Sequence, residues 1–310
     1  MENKYYDLVL LDSGISAVST IKKKGYLNSV SGKYHGSASF LTITGECYRN
    51  LSTLAIDVTD NSERSSSVIL TKALEQLLAI DLNIICVPLA TKKNTVAMQQ
   101  VCQKLSRQGK KIIAAAGNSW ATLKSYPAEY SEVIGINGQF YETNSDYSFD
   151  SSKSLQGSFN SAPTFFKLKN KRFYFYAGNS KACSLAVAKY LQNSDSGENV
   201  NRNSMENTLS DSKPSNEFSD ISEIKEEVCH IFSEVFGVTS FEKISALEKC
   251  SILDFGFKFN REQISNYLLA LINKFPFLER EYKFEWNDIE SVAKVVEFIM
   301  ERKTKDEIGS

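Results

Sequence analysis

Leu8-Val9-Leu10-Leu11-Asp12-Ser13-Gly14 is an unbroken apolar run that stops on an acid and a turn. Four large aliphatic residues in a row, with no polar alternation, predict a strand buried on both faces, as in a parallel sheet. The residue that ends such a strand lies at the carboxyl edge of the sheet, where open α/β sheets hold their sites. Asp12 therefore reads as a candidate functional acid, beside the plainer reading of a turn cap.

The pattern repeats downstream. Leu51 to Val58 reads as a strand, and residues 65–80 have helical spacing with Leu70, Leu74 and Leu77 on one face. Asn83 to Leu89 is a second apolar strand, Thr95 to Gln108 a helix closed by Gly109, and Lys111 to Ala116 another strand. Strands alternating with helices predict an α/β fold with a parallel sheet flanked by helices.

Three further stretches carry chemistry. They are Tyr34-His35-Gly36-Ser37, Ala114-Ala115-Ala116-Gly117-Asn118-Ser119 and Ala177-Gly178-Asn179-Ser180-Lys181-Ala182. With Asp12 they supply what serine hydrolysis needs: a nucleophilic hydroxyl, a base, an acid to orient the base, and a donor for the oxyanion. His35 is one of only two histidines, and the other, His230, sits in an apolar helical stripe. The order Asp, His, Ser is one of the chain orders in which this geometry occurs.

Taken together, the four stretches resemble the subtilisin-like serine protease family. The resemblance implies that Ser180 is the nucleophile, His35 the general base, Asp12 its orienting acid and Asn118 the oxyanion donor. Tyr126-Pro127-Ala128 and Ser161-Ala162-Pro163 also look like family segments. A substrate cleft is implied along Pro88, Leu89 and Ala90 on one side and Ala115, Ala116 and Gly117 on the other. Three positions depart from the family pattern. Pro88 opens the phrase that is usually Ser-Leu-Gly, and proline has no N–H to pair with an extended substrate. Asn179 replaces a Thr, and Ser184 stands where a Pro is usual. These departures imply altered specificity and are compatible with lost activity.

The protease-like region is expected over residues 1–192. Residues 193–218 are almost free of apolar side chains and read as a flexible polar linker. Residues 219–303 are helical, with amphipathic stretches at Ile221 to Phe236, Glu262 to Phe275 and Asp288 to Arg302, and 304–310 form a tail. Three long helices with a loop after the first resemble an acyl or peptidyl carrier protein, which predicts a small all-α bundle. The carrier's attachment phrase corresponds to Asp254-Phe255-Gly256-Phe257-Lys258-Phe259-Asn260. Phe259 takes the place of the serine that bears the phosphopantetheine arm, so the resemblance implies a carrier-like fold without that cofactor.

Charge is divided along the chain. Residues 1–192 hold 22 Lys and Arg against 14 Asp and Glu, whereas residues 220–303 hold 11 against 16. Opposite balances permit docking of the two regions or capture of an acidic peptide by the first. No recognition motif accompanies the basic charge, so nucleic acid is not an expected partner. No apolar run approaches the roughly 18–20 residues of a membrane span. The N-terminus lacks the basic and apolar regions of a secretory signal. Six cysteines show no CxxC pair and no metal-ligand rhythm. Free thiols, no metal and a cytoplasmic setting are expected. The sequence thus predicts a serine endopeptidase acting on a peptide, such as the leader of a ribosomally made precursor, with maturation enzymes as partners through the carrier-like region. The other reading is an inactive relative that scaffolds peptide maturation. A ligase that runs the acyl-enzyme in reverse would use the same site.

Overall fold

The computed structural model describes residues 5–15, 27, 29, 32–47, 50–62, 64–118, 124–170, 172–196, 218–237 and 261–309. They form two compact units. The first contains the N-terminal strand, Leu27–Pro163 and the chain from Tyr176 onward into the following helix. The second contains Thr164–Phe175 and the C-terminal residues.

The first unit is built on a seven-stranded sheet. Its strands are β1 (Tyr6–Asp12), β2 (Thr53–Asp57), β3 (Leu82–Val87), β4 (Lys111–Ala115), β5 (Ile134–Gln139), β6 (Tyr147–Phe149) and β7 (Gly157–Asn160). Their order is β2-β1-β3-β4-β5-β7-β6. Every pairing is parallel except β6 with β7. The unit is an α/β fold of the expected class. The order reverses at β1, with β2 on one side and β3 on the other, and such switch points open a crevice at the carboxyl ends of strands.

Strand parity sorts the core into two layers. Val9 and Leu11 of β1 pack with Ile85, Val87, Ile112 and Ala114 under α2 (Ser67–Gln76) and α3 (Val96–Arg107). Leu8 and Leu10 pack with Ile84, Cys86, Ile113 and Ala115 under α1 (His35–Cys47) and α4 (Asn179–Ser196). Asp12 has the parity of Leu8 and Leu10. Its side chain is thereby sent to the face covered by α1 and α4, the two helices that begin with His35 and with Asn179-Ser180.

The helix ends follow local rules. Thr95 and Ser66 accept hydrogen bonds from Met98 N–H (3.3 Å) and Ile69 N–H (3.2 Å), capping α3 and α2. Gly109, at φ +80°, closes α3 as expected.

The second unit combines α5 (Phe218–Phe236), α6 (Arg261–Lys274), a short α7 (Trp286–Ile289) and α8 (Val292–Gly309). Its core includes Val228, Phe232, Leu268, Leu271, Val295 and Ile299. It also holds a three-stranded sheet. There β8 (Thr164–Lys167) lies between β9 (Phe173–Tyr176) and β10 (Lys283–Glu285). The helix expected from Asp288 to Arg302 is broken after Ile289 and restarts at Val292. Asp288 accepts from Glu285 N–H (2.7 Å), which makes it a cap within α7 rather than the start of α8. Residues 254–260, including Phe259, lie outside the described residues. No helix of the described residues is long and apolar enough to cross a membrane.

Candidate active site

Asp12 closes β1 and is fully buried. A buried carboxylate needs donors on both oxygens. Ser13 N–H donates to Oδ1 at 2.7 Å and Ser39 Oγ to Oδ2 at 2.7 Å. His35 Nδ1 lies 2.7 Å from Oδ1 and 2.9 Å from Oδ2. A carboxylate only accepts, so this contact places the ring proton on Nδ1 and leaves Nε2 with the lone pair. The His35 side chain is 18% exposed, open enough for a substrate to reach.

The Asp and His motifs fit together physically. Gly36 N–H donates to Ser13 Oγ (2.9 Å), and a Cβ on Gly36 would collide with the Gly14 carbonyl. The glycine after the histidine is required by this close backbone approach. Two residues before His35, buried Lys33 donates to Asp57 Oδ2 (3.0 Å), Thr59 O (3.0 Å) and Thr59 Oγ1 (3.1 Å). Asp57 is the register partner of Asp12 on β2, so Lys33 pins the entry to α1 beside the acid. Burial pushes the Asp57 carboxyl up, but the Thr59 N–H and the Lys33 ammonium outweigh it and hold it below its ordinary value.

Asn118 follows β4 and is exposed. Its Oδ1 accepts from Asn179 N–H at 3.0 Å, which fixes the amide and leaves Nδ2 as its outward donor. Gly178, at φ +76°, brings the chain against this amide; a Cβ there would be 3.0 Å from Asn118 Oδ1. Asn179 ties the ends of β4 and β5 to the start of α4. Its Oδ1 accepts from Gly138 N–H (2.6 Å), and its Nδ2 donates to Ala116 O (3.1 Å) and Gly117 O (3.0 Å).

Ser180 is the second residue of α4 and is 9% exposed. Its hydroxyl donates to the Pro88 carbonyl at 2.7 Å, and so not to His35. The fold brings Asp12 to His35 and Asn118 to the start of α4, while the serine proton rests on the cleft segment. Leu89 and Ala90 are half-buried, as is Gly117, whereas Pro88, Ala115 and Ala116 are buried. Beyond Ala90 the cleft segment is closed by Thr91, which exchanges both backbone hydrogen bonds with Tyr126 (2.9 and 2.8 Å).

Beneath the site lies a buried layer of polar groups. Tyr176 is 1% exposed, and its hydroxyl lies within 2.9 Å of Ser39 Oγ, Ser180 O and Ser184 Oγ. Burial, with the Asp12 charge nearby, pushes its phenol well above the ordinary tyrosine value. Cys86 and Cys183 are buried neighbours, and burial with the Cys183 contact drives the Cys86 thiol well above its usual value. Lys181 is fully buried and donates to Ala162 O (2.7 Å). Sequence reasoning missed Lys33, Ser39 and Tyr176, because no local pattern marks a polar side chain that turns inward. Among the described residues no group of His, Cys, Asp or Glu is arranged to hold a metal ion.

No protein-family model matches this chain, and no curated protein does. Among solved structures it is similar to a cold-adapted subtilisin-like serine proteinase, at 17% identity and a TM-score of 0.44, over 60% of this chain and 75% of that one. It is also similar to the prenylagaramide maturation protease PagA, at 19% identity and a TM-score of 0.48, over 62% of this chain and 78% of that one.

Proposed function

We propose that the chain is a serine endopeptidase of the subtilisin type. The observation that carries this is the pairing of His35 Nδ1 with both oxygens of a buried Asp12, on the sheet face where α4 presents Ser180 at its N-terminus. In this reading Ser180 Oγ attacks the scissile carbonyl and its proton passes to His35 Nε2. The charge on the carbonyl oxygen is met by Asn118 Nδ2 and the Ser180 N–H, with the positive end of α4 behind them. Collapse returns the proton from His35 to the leaving amine, and water then releases the acyl group by the same steps in reverse order.

The substrate is an extended peptide lying along Leu89-Ala90, since Pro88 offers no N–H. The surplus of basic residues in 1–192 favours an acidic peptide, such as a precursor leader. Buried thiols at Cys86, Cys102 and Cys183, none in a disulfide, favour a reducing, cytoplasmic setting. The second unit serves in this reading as a docking module for peptide or for maturation enzymes, and acts without a phosphopantetheine arm.

A second reading, an inactive peptide-binding scaffold, is favoured by the Ser180 hydroxyl resting on Pro88. Fluorophosphonate labelling of wild type and Ser180→Ala, read by intact mass, separates the two. One adduct on wild type and none on the variant is expected. No adduct on either, with both folded, would sink the protease reading in favour of the scaffold.

A further inference from the structure

We propose that Tyr176 is a positioning residue that locks the Asp12–His35 pair in register with the helix bearing Ser180. This inference rests on the protease reading above. Its basis is the hydroxyl's three oxygen neighbours: Ser39 Oγ (2.8 Å), the carbonyl of Ser180 itself (2.9 Å) and Ser184 Oγ (2.8 Å). Ser39 in turn donates to Asp12 Oδ2 (2.7 Å), and Ser184 to Ser180 O (3.1 Å). One phenol thereby joins three separate elements: the acid on β1 through α1, and the first turn of α4.

A count of protons shows how the junction works. Asp12 and the Ser180 carbonyl only accept. Ser39 commits its single proton to Asp12, so it meets Tyr176 as an acceptor. The Tyr176 proton goes to Ser39 Oγ or to Ser180 O, and Ser184 Oγ donates to Ser180 O or meets the phenol oxygen. When Tyr176 donates to Ser39, the chain Tyr176, Ser39, Asp12 is directed at the carboxylate, and each donor polarises the next. That spreads the Asp12 charge and fixes the plane of the carboxylate against the imidazole. When it donates to Ser180 O, it holds the backbone of the nucleophile. The ring also meets the His35 ring edge-on, with centroids 5.4 Å apart. The other titratable groups that face this cluster are Cys86 from β3, itself against Cys183 from α4. Both are buried thiols.

Tyr176→Phe tests the hydroxyl and keeps the ring. Without the phenol donor the Asp12 charge is less dispersed, so it holds the imidazolium more tightly and the His35 midpoint moves up. With only two histidines in the chain, that midpoint is read directly by NMR titration of the ring protons. Ser39→Ala removes the direct donor and moves it further the same way. Inactivation by a fluorophosphonate should slow about tenfold at saturation in both variants, with the half-saturating concentration unchanged. A Tyr176→Phe protein with wild-type midpoint and wild-type inactivation overturns the inference while leaving the protease reading intact. A wild type that is never labelled, but whose His35 midpoint still responds to Tyr176→Phe, overturns the protease reading and keeps the coupling. If Tyr176→Phe does not fold, Ser39→Ala decides alone: an unshifted midpoint rejects the relay.

Discussion

Asn179→Ala should be among the most damaging single changes in the first unit. The side chain makes three hydrogen bonds at 2.6, 3.1 and 3.0 Å, and the residue is only 8% exposed. Alanine strands the Gly138 N–H, whose loss of a buried acceptor costs about 1–3 kcal/mol, and two carbonyls at about 0.5–1.5 kcal/mol each. Gly117 is half-buried and recovers part of its share from water. The sum is about 3–4 kcal/mol, a large part of the roughly 5–15 kcal/mol that holds a domain folded. The bond from Asn179 N–H to Asn118 is made by backbone and survives, so the variant should fold at low temperature. Urea unfolding measures the global loss, and hydrogen exchange at the Gly138 amide measures the local one. Thr at this position, the residue implied by family resemblance, has one oxygen and can serve Gly138 or one carbonyl; about half the loss is expected. A cost of under about 1 kcal/mol for Ala, with Gly138 exchange unchanged, would refute the argument.

Two further outcomes are expected. Gly36→Ala forces its new Cβ against the Gly14 carbonyl and should break the Gly36–Ser13 bond, costing about 1–3 kcal/mol in urea unfolding and abolishing fluorophosphonate labelling. Burial raises the Asp288 carboxyl from 3.8 to about 6. The stability that its neutral form provides is complete below pH 3.8 and lost as pH rises through about 6. Asp288→Asn keeps an acceptor for Glu285 N–H, so it should flatten this dependence and stabilise the second unit by about 1–3 kcal/mol at pH 8, read as a melting-temperature difference between pH 5 and pH 8.

The parallel sheet was legible because each of its long strands is an apolar run bounded by turn residues, and parity alone sends Asp12 to the face of α1 and α4. The pairing of Asp12 with His35 was legible only through the family resemblance of Asp-Ser-Gly and His-Gly; its physical counterpart, the close approach of Gly36 to the Gly14 carbonyl, shows only in the fold. What stayed hidden was side-chain direction. Ser39 and Tyr176 occupy positions where sequence cannot separate a solvated hydroxyl from one aimed inward. Strand β10 is three residues long, too short for alternation to mark, and it forms by pairing with Phe165 and Phe166, more than a hundred residues earlier.

The family departures at Pro88, Asn179 and Ser184 carry opposite weight once their partners are seen. In a decaying site, substituted positions would be expected to lose contacts. Here Asn179 joins the ends of β4 and β5, and Ser184 sits in the Tyr176 junction. Pro88 lacks an N–H, yet its carbonyl is what touches the site, by accepting a hydrogen bond from the Ser180 hydroxyl. Freeing that proton requires a side-chain rotation and strands a buried carbonyl, about 1–3 kcal/mol. Each 1.36 kcal/mol changes a rate about tenfold, so in the protease reading the resting contact would slow acylation by about one to two orders of magnitude. That is small beside the acceleration a serine hydrolase supplies. The Pro88 contact is therefore weak grounds for inactivity, and the ordered hydrogen bonds around Asn179 and Tyr176 favour a working site.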